Sequence, residues 1–295
     1  MREKELNMNQ TEASTTKKIA LVTGATNGIG KVTALELARI GYHVLMTSRD
    51  TVKGQKVLEE IRAQTGSNAL ELYVGDLSKM DDVRRIALEV RAKHTKLDVL
   101  VNNAGGVFKE RQNTADGFEH TFAFNHLAYF LLTSLLTDTL KAAANARVIS
   151  VSSSANNLGR MRWDDLEFKT GYNGSAAYAQ SKLMNVLFAN ALARRLKESD
   201  VTSNSLHPGV VRSGFGKTLT GIEGFILSVV SLFSVSPERG AETSLYLATS
   251  SEVANVTGAY FAAQKIARAN PIAYDESAQD RLWTLSEKMV SRWLD

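Results

Sequence analysis

From residue 18 onward, short apolar runs alternate with longer segments whose apolar positions recur at helical spacing. The runs at 19–23, 43–48, 70–74, 97–101, 147–151, 201–206 and 259–262 read as strands. Several, such as Ala20-Leu21-Val22 and Val99-Leu100-Val101, are apolar at every position, the pattern of a strand covered on both faces. The segments 29–40, 52–64, 81–93, 118–140, 178–196 and 237–247 read as helices. A strand followed by a helix must cross over before it pairs again. Neighbouring strands are then parallel, and helices coat both faces of the sheet. The pattern predicts a single doubly wound α/β domain over 18–295, with a seven-stranded, mostly parallel sheet and a polar, flexible tail at 1–17.

Two stretches interrupt the alternation. Residues 156–175 are a polar insertion ahead of a helix, and residues 213–236 are punctuated by glycine and carry the apolar run 224–234. Long excursions from a compact domain are usually functional. The second reads as a lid over an apolar pocket, with a partner surface or an interfacial anchor as alternatives. It lacks the basic face that an interfacial helix carries.

Composition narrows the chemistry. The 295 residues are 44% hydrophobic and 22% charged, a globular balance. There is no cysteine, which excludes disulfides, thiolate metal sites, iron–sulfur clusters and thiol nucleophiles. A net charge of +4 gives no nucleic-acid footprint. No apolar run approaches the ~18 residues that span a bilayer, and the first residues match neither a signal peptide nor a transit peptide. The expectation is a soluble, cytoplasmic protein acting on a small molecule, with self-association left open. The histidines at 43, 94, 120, 126 and 207 have no ligand spacing such as His-x3-His, so no metal is expected.

The segment Thr23-Gly24-Ala25-Thr26-Asn27-Gly28-Ile29-Gly30 follows the first strand and opens the first helix. Glycines there allow a tight turn and let a pyrophosphate reach the helix N-terminus, where free N–H groups and the helix dipole favour an anion. This makes the fold Rossmann-type. The end of the second strand bears on which dinucleotide binds. NAD sites place a carboxylate there for the ribose 2′-OH, whereas NADP sites place a cation near the 2′-phosphate. The chain has Ser48 where the acid belongs and Arg49 beside it, a guanidinium suited to bidentate phosphate binding; Asp50 caps the next helix. NADP(H) is the expected cofactor, with an NAD-linked enzyme the alternative if Arg49 is only a solvated side chain.

Tyr178 and Lys182 stand four apart near the start of a helix and so share one face. A phenol titrates near pH 10, and a neighbouring ammonium favours the phenolate that acid–base work requires. Taken alone, Tyr-x3-Lys occurs by chance. Here it is accompanied by Ser152-Ser153-Ser154 after the fifth strand, Asn102-Asn103-Ala104-Gly105 after the fourth, and Asn125 in the long helix. All but Asn125 fall at the carboxyl edge, where open α/β sheets bind their ligands.

This ordered set resembles the short-chain dehydrogenase/reductases. The resemblance runs from residue 18 to 294, and Asp76-Leu77 and Pro208-Gly209 extend it. It implies that Gly24, Thr26, Asn27, Gly28, Ile29 and Gly30 hold the pyrophosphate, with Asp76 and Leu77 at the adenine. Asn102, Ala104 and Gly105 would line the adenosine and ribose side, and Pro208, Val211 and Ser213 the carboxamide side. Ser153 would orient a substrate carbonyl and Tyr178 would be its acid–base. Lys182 would bind the nicotinamide ribose and lower the tyrosine pKa, and Asn125 would hold a relay water. Within the family the chain is most similar to the retinol dehydrogenase, WW-domain oxidoreductase and protochlorophyllide reductase-like group, through Asn125-His126-Leu127, Arg281-Leu282-Trp283 and the 25-residue separation of Ser153 and Tyr178. Ala128-Tyr129 stand where Gly-His is usual, Asn156-Asn157 where a histidine is common, and Ser213 where threonine is common. An N-terminal membrane anchor of the kind some retinol enzymes carry is not expected. The resemblance implies hydride transfer between NADP(H) and a carbonyl or alcohol, on a hydrophobic aldehyde or ketone. A non-catalytic NADP(H)-sensing module is the competing class.

Overall fold

The computed structural model describes residues 17–209 and 236–294. The expected tail and lid, together with Val211 and Ser213, fall outside these residues, apart from Lys17 and Ser236 at their ends.

The first half of the chain alternates β1 (Ile19–Val22), α1 (Gly28–Arg39), β2 (His43–Ser48), α2 (Thr51–Thr65), β3 (Leu70–Val74), α3 (Met80–Lys93) and β4 (Val99–Asn102). A long helix α4 follows, made of His120–Phe122, a π-helical turn Ala123–Leu127 and Ala128–Lys141. The second half comprises β5 (Arg147–Val151), α5 (Gly174–Arg195), β6 (Thr202–His207), α6 (Pro237–Thr249), β7 (Tyr260–Ala262), β8 (Lys265–Ile266) and α7 (Glu276–Val290). The sheet order is β3-β2-β1-β4-β5-β6-β7-β8, parallel throughout except for the β7–β8 pair.

The period-2 alternation of strands explains why uniformly apolar runs are needed. Leu21, Leu45, Leu100 and Val148 face one core with α3, α4 and α5, which contribute Ile86, Leu136 and Leu187. Ala20, Val44, Val101 and Ile149 face the other with α1, α2 and α6, which contribute Leu37, Ile61 and Leu247. Between β1 and β4 the winding reverses, so the chain leaves these two strands in opposite directions and opens a crevice at their carboxyl ends.

Three features depart from the sequence reading. The sheet has eight strands rather than seven, because a hairpin adds β8 through the pairs Phe261↔Ile266 and Ala262↔Lys265. Its turn residues, Ala263 and Gln264, adopt φ of 48° and 62°, a conformation usually signalled by Asn-Gly. Thr243 of α6 holds that turn by accepting the Gln264 N–H at 3.2 Å. The helix expected at 118–140 contains a π turn, and α7 was not expected.

Candidate active site

The crevice is floored by the glycine loop. Gly24 has φ +65° and would place a Cβ only 3.0 Å from the Ala104 Cα; a Cβ on Gly30 would fall 2.4 Å from both the Gly24 carbonyl oxygen and the Asn103 amide. These two glycines therefore permit loop, helix and neighbouring strand to touch. Gly28, at φ +51°, has nothing within 4 Å of a Cβ position, so the loop is open on its outer side. Asn27 is the N-cap of α1 but makes no side-chain cap, and the first turn contains no acid. Uncapped N–H groups, an unopposed helix dipole and room above Gly28 fit a pyrophosphate. Thr26 and Ile29 are partly exposed on the same loop.

At the end of β2, Ser48 is buried and its hydroxyl donates to the Asp50 carbonyl at 2.7 Å. Asp50 caps α2 by accepting the Lys53 N–H at 2.9 Å. Arg49 is exposed and makes no hydrogen bond or ion pair among the described residues. Asp76 accepts from the Ser78 N–H and hydroxyl through Oδ1. His120, half-buried, stacks on Phe108 at 4.0 Å; burial lowers its pKa, the Asp76 charge opposes that shift, and Arg49 adds to it. Arg49 and Asp76 therefore both lie close enough to His120, at one end of the crevice, for it to feel their charges.

Two expected contacts take a different form. The Asn102 side chain is fully buried and donates to Thr133 Oγ1 at 2.9 Å, and Leu77 packs in the core, so only their backbones lie at the rim. The neighbouring Asn103 was not foreseen. It donates to the Thr23 carbonyl at 2.8 Å and braces the glycine loop, while Thr23 Oγ1 accepts the N–H groups of Asn103 and Ala104.

At the other end of the crevice, Ser153 caps a 3₁₀ turn (Ser154–Leu158) by accepting the Ala155 N–H at 3.2 Å. Its side chain also hydrogen-bonds Tyr178. Ser152 faces inward and donates to the Lys182 carbonyl at 2.6 Å, so the two serines divide structure from site. Lys182 is 3% exposed and donates to the Val151 carbonyl at 3.0 Å, with Nζ 5.7 Å from the Tyr178 ring centre. Gly105 passes so close that a Cβ would lie 3.2 Å from both Lys182 Nζ and Asn125 Oδ1.

Asn125 sits in the π turn of α4, a distortion common at functional sites. Its Oδ1 accepts the Gly106 N–H at 2.8 Å, and its Nδ2 donates to the Gly106 carbonyl and to Ser181 Oγ, both at 2.9 Å. It thus ties α4, the loop after β4 and α5 together, and both amide donors are spent.

The electrostatics differ from the sequence expectation. Burial raises the Tyr178 pKa, and the hydrogen bond to Ser153 is what acts against that rise. Lys182 is not among the causes, because burial pushes its own amine down to about 7 and it is turned toward Val151. Tyr129, fully buried, brings its ring centre to 5.9 Å from Lys182 Nζ. The half-buried Pro208 ends β6, before Gly209 at φ +87°.

A family model for short chain dehydrogenases matches residues 18–221. The chain belongs to the short-chain dehydrogenase family. Retinol dehydrogenase 13 of Homo sapiens is 43% identical to this short-chain dehydrogenase over 280 residues, covering 92% of the chain and 84% of the relative. Among solved structures, an uncharacterized protein from Mycobacterium Paratuberculosis superposes with a TM-score of 0.75 at 32% identity, covering 93% of each chain. Pseudomonas aeruginosa RhlG in an NADP active-site complex gives 0.67 at 25% identity, covering 83% of this chain and 93% of that one. This short-chain dehydrogenase is a nicotinamide-dependent alcohol/carbonyl oxidoreductase of the retinol dehydrogenase-like group. Among the described residues, no helix is long and apolar enough to cross a membrane.

Proposed function

We propose that the enzyme interconverts a hydrophobic aldehyde or ketone and its alcohol with NADP(H), using Tyr178 as the acid–base, Ser153 as the carbonyl anchor and Lys182 and Asn125 as their support. The observation that carries this reading is the placement of Tyr178 beside Ser153, with its ring centre 5.7 Å from Nζ of the buried Lys182, at the rim where the glycine loop opens. When bound, the nicotinamide supplies or accepts the hydride. Everything else is asked of the chain.

Ser153 and Tyr178 present two hydroxyls to one substrate oxygen, so negative charge developing there is met by preorganised donors. In reduction Tyr178 passes its proton to that oxygen, and in oxidation it takes the proton back. Such a positioned acid–base contributes roughly 10²–10⁴-fold. Lys182, held by the Val151 carbonyl and packed against Gly105, keeps a proton-bearing group within reach of the ribose side. Because both Asn125 amide donors are spent, a relay water there is to be met by its backbone carbonyl.

NADP(H) is supported by Arg49, which stands exposed beside a serine whose hydroxyl is already engaged. An apolar substrate is supported by the run 224–234 and by the name of the human relative. The test is Tyr178→Phe assayed against a panel of apolar aldehydes, retinaldehyde included. Turnover should fall by at least about 100-fold while NADPH affinity stays within a factor of three or so. A variant that keeps most of its activity would overturn the assignment.

A further inference from the structure

On the opposite edge of the sheet, three side chains that are far apart in sequence converge. His43 opens β2, Glu71 is the second residue of β3, and His94 is the C-cap of α3. The register Leu45↔Glu71 places Leu45 and Glu71 on one face, and the period of two puts His43 on that same face. This is the face that α3 covers before it ends at His94.

His43 Nε2 and His94 Nε2 each lie 3.0 Å from the same oxygen, Glu71 Oε1. His94 is only 9% exposed, and its Nε2 has no hydrogen-bond partner despite that approach, because proximity is not matched by direction. The other carboxylate oxygen is separately engaged: Glu71 Oε2 accepts from the Tyr73 hydroxyl at 2.9 Å and from Lys93 Nζ at 3.2 Å. One carboxylate oxygen and two imidazole nitrogens thus cluster together, with the carboxylate oriented from behind.

We propose that His43, Glu71 and His94 form a site for a single divalent transition-metal ion, Zn²⁺ in the first instance. Bonds of about 2.05 Å imply ligand–ligand edges of about 2.9 Å in octahedral and 3.3 Å in tetrahedral geometry. The two 3.0 Å separations fall between these values. The ligating atoms of all three residues lie within 4.8 Å of one another, so binding requires the histidine–histidine edge to shorten. Both His43 and Glu71 are about one quarter exposed, which admits the ion and leaves a coordination position for water. Tyr73 and Lys93 supply the outer hydrogen bonds that orient a ligating carboxylate. Lys93 and Lys17 are the cations nearby, and Lys93 is largely solvated.

The site joins β2, β3 and α3 some 17 Å along β2 from the nucleotide rim, at about 3.3 Å per residue. Its role is therefore structural, and its test does not depend on turnover. Untagged, chelator-stripped full chain is titrated with Zn²⁺ by calorimetry and with Co²⁺ by absorption. The expected result is one equivalent bound, with the ligand-field bands of a nitrogen–oxygen Co²⁺ site. His43→Asn and His94→Asn should each weaken Zn²⁺ binding by more than about 100-fold, beyond what loss of an outer-shell partner costs. Wild type that binds no tighter than the double variant overturns the proposal. In case the variants fail to fold, Zn²⁺-soaked crystals of wild type give an independent answer. Anomalous density among the three side chains supports the site, and density elsewhere or none overturns it.

Discussion

Thr23 offers a sharp test of how the rim is held. Its side chain is 1% exposed at the end of β1, and its Oγ1 accepts the N–H groups of Asn103 at 2.8 Å and Ala104 at 3.0 Å. The same hydroxyl donates to the Val101 carbonyl at 3.3 Å. Thr23→Val keeps the shape and removes all three bonds, leaving the buried Ala104 N–H and the half-buried Asn103 N–H unsatisfied. At about 1–3 kcal/mol for each orphaned group, the expected loss is about 2–6 kcal/mol, a large share of the ~5–15 kcal/mol that stabilises a typical domain. Thr23→Ser keeps the hydroxyl and gives up one buried methyl, which costs about 1 kcal/mol. Urea unfolding of the three proteins, followed by tryptophan fluorescence, measures both differences. The loop should feel the change too, because Asn103 also braces the Thr23 carbonyl beside Gly24. NADPH affinity, measured by fluorescence titration, should therefore fall in Thr23→Val and hold in Thr23→Ser. If Thr23→Val costs less than about 1 kcal/mol, or if the serine variant is equally damaged, the hydroxyl does not clamp the two strands and the account of the rim is wrong.

Arg49→Ala should weaken NADPH binding by about 10–100-fold, the worth of hydrogen bonds to a charged group, and leave NADH binding unchanged; equal loss for both nucleotides would remove Arg49 from the 2′-phosphate. Lys182 yields a pH prediction. Its folded pKa of about 7 lies below the 10.5 of an ordinary lysine, so between these values the unfolded chain binds more protons than the native one. The nucleotide-free protein should gain stability as pH rises from 7 toward 10, with a contribution approaching 1.4 kcal/mol per unit or so from this group. Below pH 7 the full cost of a buried amine is present. Lys182→Met should lose that slope in unfolding measurements across the window, and an unchanged slope would mean that Lys182 is charged when folded.

Short-range regularities were legible wherever one element carried the signal. The alternation of apolar runs and helical segments reproduced the order of elements from β1 to β7, and Asp50 was recognisable as a cap because a cap acts three residues ahead. The glycine loop announced itself by spacing. By contrast, α7 escaped notice, and its buried stripe carries the polar Gln279 and Ser286 beside Ala278 and Leu282. Those polar groups are buried only because partners wait for them: Arg194 and the Ala273 carbonyl for Gln279, and His126 for Ser286. The β7–β8 turn was invisible for a similar reason, since Ala263 and Gln264 take a left-handed conformation with Thr243 of α6 bonded to the turn.

The candidate site residues divide in the same way. That Tyr178 and Lys182 share a face is a property of helical geometry, and the residues alone determine it. That Tyr178 meets Ser153, that Asn103 rather than the Asn102 side chain supports the loop, and that burial disfavours both the phenolate and the ammonium were decided by packing. The histidines illustrate the limit most directly. No linear spacing relates residues 43, 71 and 94, yet β2, β3 and the end of α3 bring them to one point. Periodicity and capping are local interactions, written within a few residues of chain. Contacts between distant segments depend on how completed elements dock, and only the folded protein supplies that information.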